Sequence, residues 1–312
     1  MDSGNVVPLG STDDVDEAAE ARARCEICTG RCHFHELRGG GSLQRCRECG
    51  HLTRDLALAP AGHRDLAYGG EPTLDRLRLG LTYRSMVRAG RGAPPASVFE
   101  VGYGAGSMLR RFHDGGSTIS GADPDQLGVH VDAQVLRHGQ LFHGGVEDIP
   151  LQGRDGVDLV YGIHVLEHVV DPMQTLRVAF DLLTPGGTAQ FLTPAGDSDG
   201  VRLYGSAWWM LEDPTHVRFF TSASLHAAAR AAGFVDVQVR RPILDSMVTD
   251  VGSLARRMSP AQRPRGVLAS RKVIAVGVAS APLVLAGRAA RASLRPTLHV
   301  IARRPRTARV PS

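Results

Sequence analysis

Residues 98–106 decide the fold and read Val98-Phe99-Glu100-Val101-Gly102-Tyr103-Gly104-Ala105-Gly106. The apolar residues on either side of Glu100 predict a buried strand, and the glycines at alternate positions after it predict a tight turn into a helix. Glycine is needed at such a turn because a Cβ would block the close approach of a nucleoside ligand to the backbone. The stretch therefore predicts a nucleoside site at the turn; a dinucleotide site and a turn without a ligand are the alternatives.

Short apolar runs alternate with helical stretches from Ser97 onward. This alternation predicts an α/β protein with a mostly parallel sheet covered by helices. The expected strands are 97–101, 118–122, 157–161, 188–193, 234–240 and 297–302. The expected helices are 73–89, 107–113, 126–138, 172–183 and 222–232.

Three further segments follow the glycine turn in a fixed order. The second strand ends in Gly121-Ala122-Asp123-Pro124-Asp125, where an acid at the strand tip can accept hydrogen bonds from ribose hydroxyls. Leu166-Glu167-His168-Val169 and Pro185-Gly186-Gly187 come next. Over residues 97–234 this order resembles the class I S-adenosylmethionine (SAM) dependent methyltransferases.

The resemblance implies a fold, a cofactor and a set of binding residues. The fold is a doubly wound, mostly parallel seven-stranded sheet, the Rossmann-like methyltransferase fold, with the catalytic domain at 70–240 and the final strand at 297–304. The methionine part of SAM would be held by Glu100, Gly102, Tyr103, Gly104 and Gly106, and the ribose by Asp123 and Pro124. The adenine falls to Val146, Glu147 and Asp148, because Gly145 stands where the family usually has an acid. The residues facing the sulfonium would be Ile163 and His164.

Methyl transfer needs alignment and charge placement, and it needs a base only for an O–H or N–H nucleophile. His168 and His216 are the candidate catalytic residues because imidazole titrates near neutral pH. In the alternative interpretation, His168 caps a helix and His216 lines a buried wall. The aromatic residues near His216 suit a planar or apolar acceptor, or pack beneath the sheet edge: Trp208, Trp209, Phe219 and Phe220.

All five cysteines lie in one N-terminal stretch, at Cys25, Cys28, Cys32, Cys46 and Cys49. Their two C-x-x-C pairs predict a tetrahedral zinc site formed by Cys25, Cys28, Cys46 and Cys49, and exchange with Cys32 is the alternative. A closed four-thiolate site is structural and not catalytic. We therefore expect a small zinc-ribbon-like module at 21–60.

The polar and acidic stretch at 1–20 has no apolar run typical of a signal peptide, so we expect a disordered leader and a cytoplasmic protein. Residues 241–296 form an expected basic and apolar helical insertion, and 305–312 a tail. Within the insertion, the uncharged stretch 273–287 is shorter than the ~20 residues that span a bilayer. It predicts a buried or substrate-covering helix; the alternative is a peripheral membrane contact, with arginines at the headgroups.

These features predict a SAM-dependent methyltransferase acting at O or N of a small-molecule acceptor, such as a sugar, a lipid-linked glycan or a secondary metabolite. One alternative is an rRNA or tRNA methyltransferase whose zinc module and arginine-rich tail bind the nucleic acid. Another is a non-catalytic SAM-binding protein, which the intact glycines and Asp123 argue against.

Overall fold

A computed structural model describes residues 24–56, 72–90, 92–124, 129–153, 155–258 and 271–306. The expected leader at 1–20 and most of the expected tail lie outside the described residues. Two sheets organise the part of the chain that is described.

The smaller sheet begins in the cysteine-rich stretch. Its first three strands are β1 (Cys32–Glu36), β2 (Ser42–Cys46) and β3 (Leu52–Thr53). A fourth strand, β9 (Arg218–Phe219), comes from much later in the chain and pairs antiparallel with β3. The cysteine-rich stretch is therefore joined by backbone hydrogen bonds to the segment around His216.

The larger sheet has seven strands: β4 (Ser97–Val101), β5 (Thr118–Asp123), β6 (Gln140–His143), β7 (Val157–Ile163), β8 (Leu183–Pro194), β10 (Val235–Arg240) and β11 (Thr297–Arg303). Their order is β10-β11-β8-β7-β4-β5-β6. The five strands from β8 to β6 are parallel, and β11 runs antiparallel to both of its neighbours. The predicted α/β, mostly parallel seven-stranded fold is confirmed.

The helices are α1 (Pro72–Ala89), α2 (Ser107–Asp114), α3 (Ala133–His138), α4 (Pro172–Leu182), α5 (Asp199–Tyr204), α6 (Ser222–Ala231), α7 (Thr249–Met258) and α8 (Arg271–Ala290). The expected helix at 126–138 is too long. It begins only at Ala133 because the Asp132 carboxylate accepts hydrogen bonds from the backbone N–H groups of Gln134 and Val135 and so fixes the N-terminus there.

Apolar side chains fill both faces of the large sheet. One cluster contains Phe99, Phe191 and Leu225, and the other contains Val98 and Phe112. Helix α1 is only partly buried: Met86 is in the core, whereas Leu77 is 60% exposed.

Helices α7 and α8 lie in the stretch of chain that connects β10 to β11. The buried Arg288 of α8 joins the two helices. The Arg288 guanidinium donates to the Asp250 carboxylate at 2.9 Å and to the carbonyl of Asp245 at 2.9 Å. The expected burial of 273–287 is wrong for the side chains described, since Val278 is 71% and Leu283 78% exposed. Among the described residues, no helix combines the length and apolar character needed to cross a membrane.

A series of buried hydrogen bonds runs from His299 in β11 through Gln190 in β8 to Met86 in α1. The imidazole Nε2 of His299 lies 3.0 Å from Oε1 of Gln190, whose amide donates to the carbonyl of Met86 at 3.0 Å. Burial, together with the positive charge of Arg240, lowers the pKa of His299 to about 4. His299 is therefore neutral in the folded protein near neutral pH.

We expect acid to destabilise the protein through His299. In the unfolded chain this imidazole takes up a proton below its ordinary pKa of 6.5, whereas the folded protein resists protonation down to about 4. The free energy of unfolding should therefore fall across this pH window, by about 3 kcal/mol more for the wild type than for His299→Gln. Urea titrations at several pH values measure the difference, and the exposed-site control His226→Gln should retain the wild-type slope. Parallel pH profiles for His299→Gln and wild type would contradict this assignment.

Candidate active site

The carboxyl ends of three neighbouring parallel strands meet at one edge of the large sheet. Val101, the last residue of β4, is level with Ala122 in β5 on one side and with Gly162 in β7 on the other. The segments that follow these strands therefore lie side by side, as expected for the cofactor site of an open α/β sheet.

The glycine turn has the backbone geometry that requires glycine. The φ angles of Gly102, Gly104 and Gly106 are 73°, 50° and 74°, all in the left-handed region. A Cβ on Gly102 would lie 2.7 Å from Cγ2 of Val165, whereas a Cβ on Gly104 would meet nothing within 4 Å. Gly104 therefore borders open space into which a ligand can fit against bare backbone.

Asp123 is joined to this turn. Its Oδ2 accepts a hydrogen bond from the backbone N–H of Gly104 at 2.8 Å. The carboxylate is half-buried at the tip of β5, and the half-buried Pro124 follows it. The open turn and an acceptor at the neighbouring strand tip fit the methionine and ribose parts of SAM.

Two of the predicted methionine-binding side chains lie in the core. Glu100 is 4% exposed and accepts a hydrogen bond from the Tyr161 hydroxyl at 2.9 Å. Burial raises the pKa of Glu100 well above its usual range. Tyr103 is 5% exposed. These side chains support the turn from within the core.

The three predicted adenine-binding residues form a single 3-10 turn, Val146–Asp148. The Val146 side chain is buried in the core, Glu147 accepts a hydrogen bond from the Thr175 hydroxyl of α4, and Asp148 is exposed. The three side chains therefore lie in different surroundings: Val146 in the core, Glu147 against α4, and Asp148 in solvent.

His164 follows β7 and the half-buried Ile163, and it has a left-handed φ of 56°. Its Nδ1 lies 3.1 Å from Oε1 of Glu167, and its Nε2 lies 3.2 Å from Oδ2 of Asp245. Burial opposes a charge on the imidazole, but hydrogen bonds to these two carboxylates outweigh burial and raise the pKa of His164 to about 9. The imidazole is therefore a cation held between two anions.

Asp245 is a site residue that the sequence analysis missed. It is 4% exposed, accepts a hydrogen bond from the Thr297 hydroxyl at 2.7 Å, and lies 3.9 Å from Nη1 of Arg78. Burial by itself would raise its pKa, but the hydrogen bond and charge of His164, with the charge of Arg78, lower it below its ordinary value. The only signal in the sequence was that Asp245 is one of two acids in an arginine-rich segment.

Glu167 and His168 lie in a turn and not in the helix that the sequence suggested, so His168 caps no helix. The fully buried Glu167 accepts a hydrogen bond from the Thr193 hydroxyl at 2.9 Å. Burial opposes its charge, but the hydrogen bond and charge of His164 lower the pKa of Glu167 to about 2. Nδ1 of His168 lies 3.0 Å from the carbonyl oxygen of Thr215.

The two candidate bases are neighbours. The rings of His168 and His216 are 4.6 Å apart between centroids, and both side chains are buried. Nδ1 of His216 lies 2.7 Å from the carbonyl oxygen of Met210, and its Nε2 lies 3.8 Å from Oδ2 of Asp213. The structure thus places both histidines beside Glu167, one side chain away from His164.

Most of the aromatic residues expected to stack on an acceptor are in the core. Trp208, Phe219 and Phe220 are fully buried, so they pack beneath the surface. Trp209 is half-buried and lies against Gly252 of α7, where a Cβ would be 2.5 Å from the indole ring. Among these four, only Trp209 is not fully buried.

The four cysteines predicted to bind zinc converge. Sγ of Cys28 lies 3.5 Å from Sγ of Cys46 and 3.4 Å from that of Cys49, and the sulfurs of Cys25 and Cys49 are 3.6 Å apart. Zinc–sulfur bonds of about 2.3 Å in a tetrahedron place sulfurs about 3.8 Å apart, close to these distances. The donor set therefore fits a four-thiolate zinc ion, and Cys32 is not needed to complete it.

A buried ion pair joins this cysteine cluster to the catalytic domain. Glu26 accepts from Nε of Arg218 at 2.7 Å and contacts Nε2 of His51 at 2.9 Å. Arg218, 1% exposed, also donates to the carbonyls of Val169 and Val170. The cluster therefore supports the segment that presents His168 and His216.

We expect Asp245→Ala to lower the free energy of unfolding by about 3–5 kcal/mol, because it leaves the buried His164 and its surroundings without one of two anionic partners. Urea denaturation at neutral pH measures the loss. Asp114→Ala is the matched control, since that carboxylate is 56% exposed and lies 2.8 Å from Arg110, and its removal should cost less than about 1 kcal/mol. Equal stabilities for the two variants would show that Asp245 does not stabilise this site.

Comparison with known proteins identifies a family for this chain. Residues 76–239 match the family described as "Methyltransferase domain". A ubiquinone biosynthesis O-methyltransferase from Nitrosospira multiformis is 28% identical over 193 residues, covering 59% of this chain and 78% of that protein. A tRNA U34 carboxymethyltransferase from Shewanella loihica is 30% identical over 178 residues, covering 54% of this chain and 50% of that protein.

Other relatives are matched over a smaller part of their length. A chloroplastic 2-methyl-6-phytyl-1,4-hydroquinone methyltransferase from Arabidopsis thaliana is 26% identical over 154 residues, 47% of this chain and 43% of that protein. The crystal structure of the [4+2]-cyclase SpnF superimposes with a TM-score of 0.50 at 19% identity, over 78% of this chain and 86% of SpnF, which supports the fold. With the match covering more than half of its residues, the chain belongs to the methyltransferase domain family and is a class I SAM-dependent methyltransferase.

Proposed function

We propose that this enzyme methylates an oxygen or nitrogen atom of a small-molecule acceptor, such as a sugar, a lipid-linked glycan or a secondary metabolite. The observation that carries this proposal is the position of the basic segment that follows β10, which packs against the candidate site. Its Asp245 holds His164, and Ser253 of α7 accepts a hydrogen bond from the backbone N–H of Trp209 at 2.8 Å. This segment therefore packs onto the acceptor side of the site, as a cover for a small ligand would.

The same segment supports a small acceptor over RNA. Arg288 is buried against Asp250, Arg241 pairs with Asp197 at 2.5 Å, and Arg295 donates to the carbonyl of Arg288. Arginines engaged in internal contacts cannot neutralise phosphates. The similarity to a tRNA-modifying enzyme keeps RNA methylation as the alternative, and the relative named for ubiquinone biosynthesis favours a small acceptor and an oxygen nucleophile.

The residues proposed to hold SAM are the open turn at Gly104, the ribose acceptor Asp123 and, for the adenine, the Val146–Asp148 turn. When bound, SAM supplies an electrophilic methyl group on a positively charged sulfur. His164 and Ile163 would lie closest to it, and the two carboxylates around His164 offset the positive charge of the imidazole.

His216 and His168 are the proposed bases. Each imidazole has Nδ1 beside a backbone carbonyl, which can only accept, so Nδ1 carries a hydrogen and Nε2 is the proposed proton acceptor, through its lone pair. A histidine in this tautomer can accept a proton from an acceptor hydroxyl or amine. Buried neighbours fix both rings and so orient these lone pairs.

We also propose a structural zinc ion at Cys25, Cys28, Cys46 and Cys49. The short contacts between these sulfurs support it.

We further propose a peripheral membrane contact through α8, in an otherwise cytoplasmic protein. The exposed Val278 and Leu283 support this contact, which would suit an acceptor attached to a lipid.

We expect Asp123→Ala to weaken SAM binding by about 10–100-fold, because charge-assisted hydrogen bonds are worth about 1.5–3 kcal/mol. Titration calorimetry with SAM measures the dissociation constant. Asp114→Ala is the control: this aspartate is 56% exposed and pairs with Arg110 on α2, so its removal should leave SAM affinity unchanged. An unaltered dissociation constant for Asp123→Ala would remove Asp123 from the cofactor site.

The acceptor class is tested with isotopically labelled SAM. The enzyme is incubated separately with a metabolite and lipid extract and with total RNA, and mass spectrometry follows the label. We expect label in the small-molecule pool, lost in Asp123→Ala. Label confined to RNA would overturn the small-molecule proposal in favour of the alternative.

A further inference from the structure

Three side chains of metal-binding type converge on the acceptor side of the site. One ligand atom each from Glu167, His168 and His216 lies within 4.8 Å of the other two, and all three residues are buried. Three ligand atoms at about 2.1 Å from one ion lie about 3.4–3.6 Å apart, so a contraction of at most about 1.4 Å would close the group around an ion.

The two histidines are oriented as metal ligands. Nδ1 of His168 lies 3.0 Å from the carbonyl and from the hydroxyl oxygen of Thr215, and Nδ1 of His216 lies 2.7 Å from the carbonyl of Met210. Metal-binding histidines characteristically donate their second ring N–H to a backbone carbonyl, which fixes the tautomer and the ring plane. Both Nε2 atoms are then the ligand atoms that the two rings would offer to an ion.

The charge of the surroundings favours a cation. Glu167 is fully buried, and its two oxygens accept hydrogen bonds from His164 and Thr193 and retain further lone pairs. The carboxylate of Asp213 lies 3.8 Å from Nε2 of His216. Two carboxylates therefore lie at the same group of side chains, and both would attract a divalent ion bound there.

We propose that Glu167, His168 and His216 bind a divalent transition-metal ion, separate from the four-cysteine site. Two imidazoles and one carboxylate suit zinc, iron or cobalt, and three protein ligands leave positions open, as in catalytic sites. This inference rests on the proposed function: the open coordination positions of the ion would take a hydroxyl oxygen of the acceptor. In this arrangement His168 and His216 bind the ion and do not act as bases; a metal-bound hydroxyl has a lowered pKa, and its proton would pass to the Asp213 carboxylate beside His216.

The test is a titration of the full-length protein, its cysteine site first filled with zinc, with Co²⁺ and without SAM or acceptor. Thiolates hold zinc more tightly than cobalt, so added Co²⁺ goes to another site. We expect one equivalent to bind, with visible absorption typical of nitrogen and oxygen ligands and no thiolate charge-transfer band. His168→Gln and His216→Gln should each bind at least about tenfold more weakly.

His226→Gln, at an exposed position, is the matched control and should bind Co²⁺ as the wild type does. A wild-type protein that binds no Co²⁺, or variants that bind it with unchanged affinity, would overturn the proposal and leave the three residues as a hydrogen-bonded network. The wild-type titration decides this even if a variant fails to fold. Since cobalt binding is read without methyl transfer, the outcome is separate from that of the labelled-SAM experiment.

Discussion

The candidate site depends on one partly buried cation, the imidazole of His164, held between two buried carboxylates from distant parts of the chain. Glu167 belongs to the turn after β7, and Asp245 belongs to the segment after β10. Thr193 at the end of β8 and Thr297 at the start of β11 complete the hydrogen bonds of these carboxylates. A charge in the interior is tolerated only when it is paired, so the three residues must assemble together. This requirement fixes the basic segment against the sheet edge.

A second buried ion pair plays the same part on the other side of the site. Arg218 joins Glu26 of the cysteine-rich stretch to the backbone that follows His168, and β3 pairs with β9 around it. The cysteine cluster is therefore built into the wall that presents His216. A metal ion bound there would stabilise the acceptor side of the enzyme without taking part in the chemistry.

The sequence was sufficient where the chemistry is local. The glycine residues and the acid at position 123 predicted the tight turn and the strand-end carboxylate that the structure shows, because a left-handed backbone and a strand end depend on few neighbours. It failed where tertiary contacts decide. Asp132 makes the expected helix at 126–138 start late, Trp208 is buried and so cannot border an acceptor, and the contact between Asp245 and His164 joins residues far apart in the chain. The pairing of β3 with β9 also joins residues far apart in the chain, so local sequence patterns do not predict it.

The central claim is that His164 joins the segment after β10 to the sheet edge. Amide hydrogen exchange of the wild type and Asp245→Ala at neutral pH tests it most directly. If His164 holds the edge together, the variant should exchange faster at 162–168 and at 297–301, far from the substitution in sequence, while β1 and β2 of the cysteine-rich sheet remain protected. Faster exchange confined to α7 and its neighbouring turn would contradict the account, because it would show that Asp245 stabilises only its own segment.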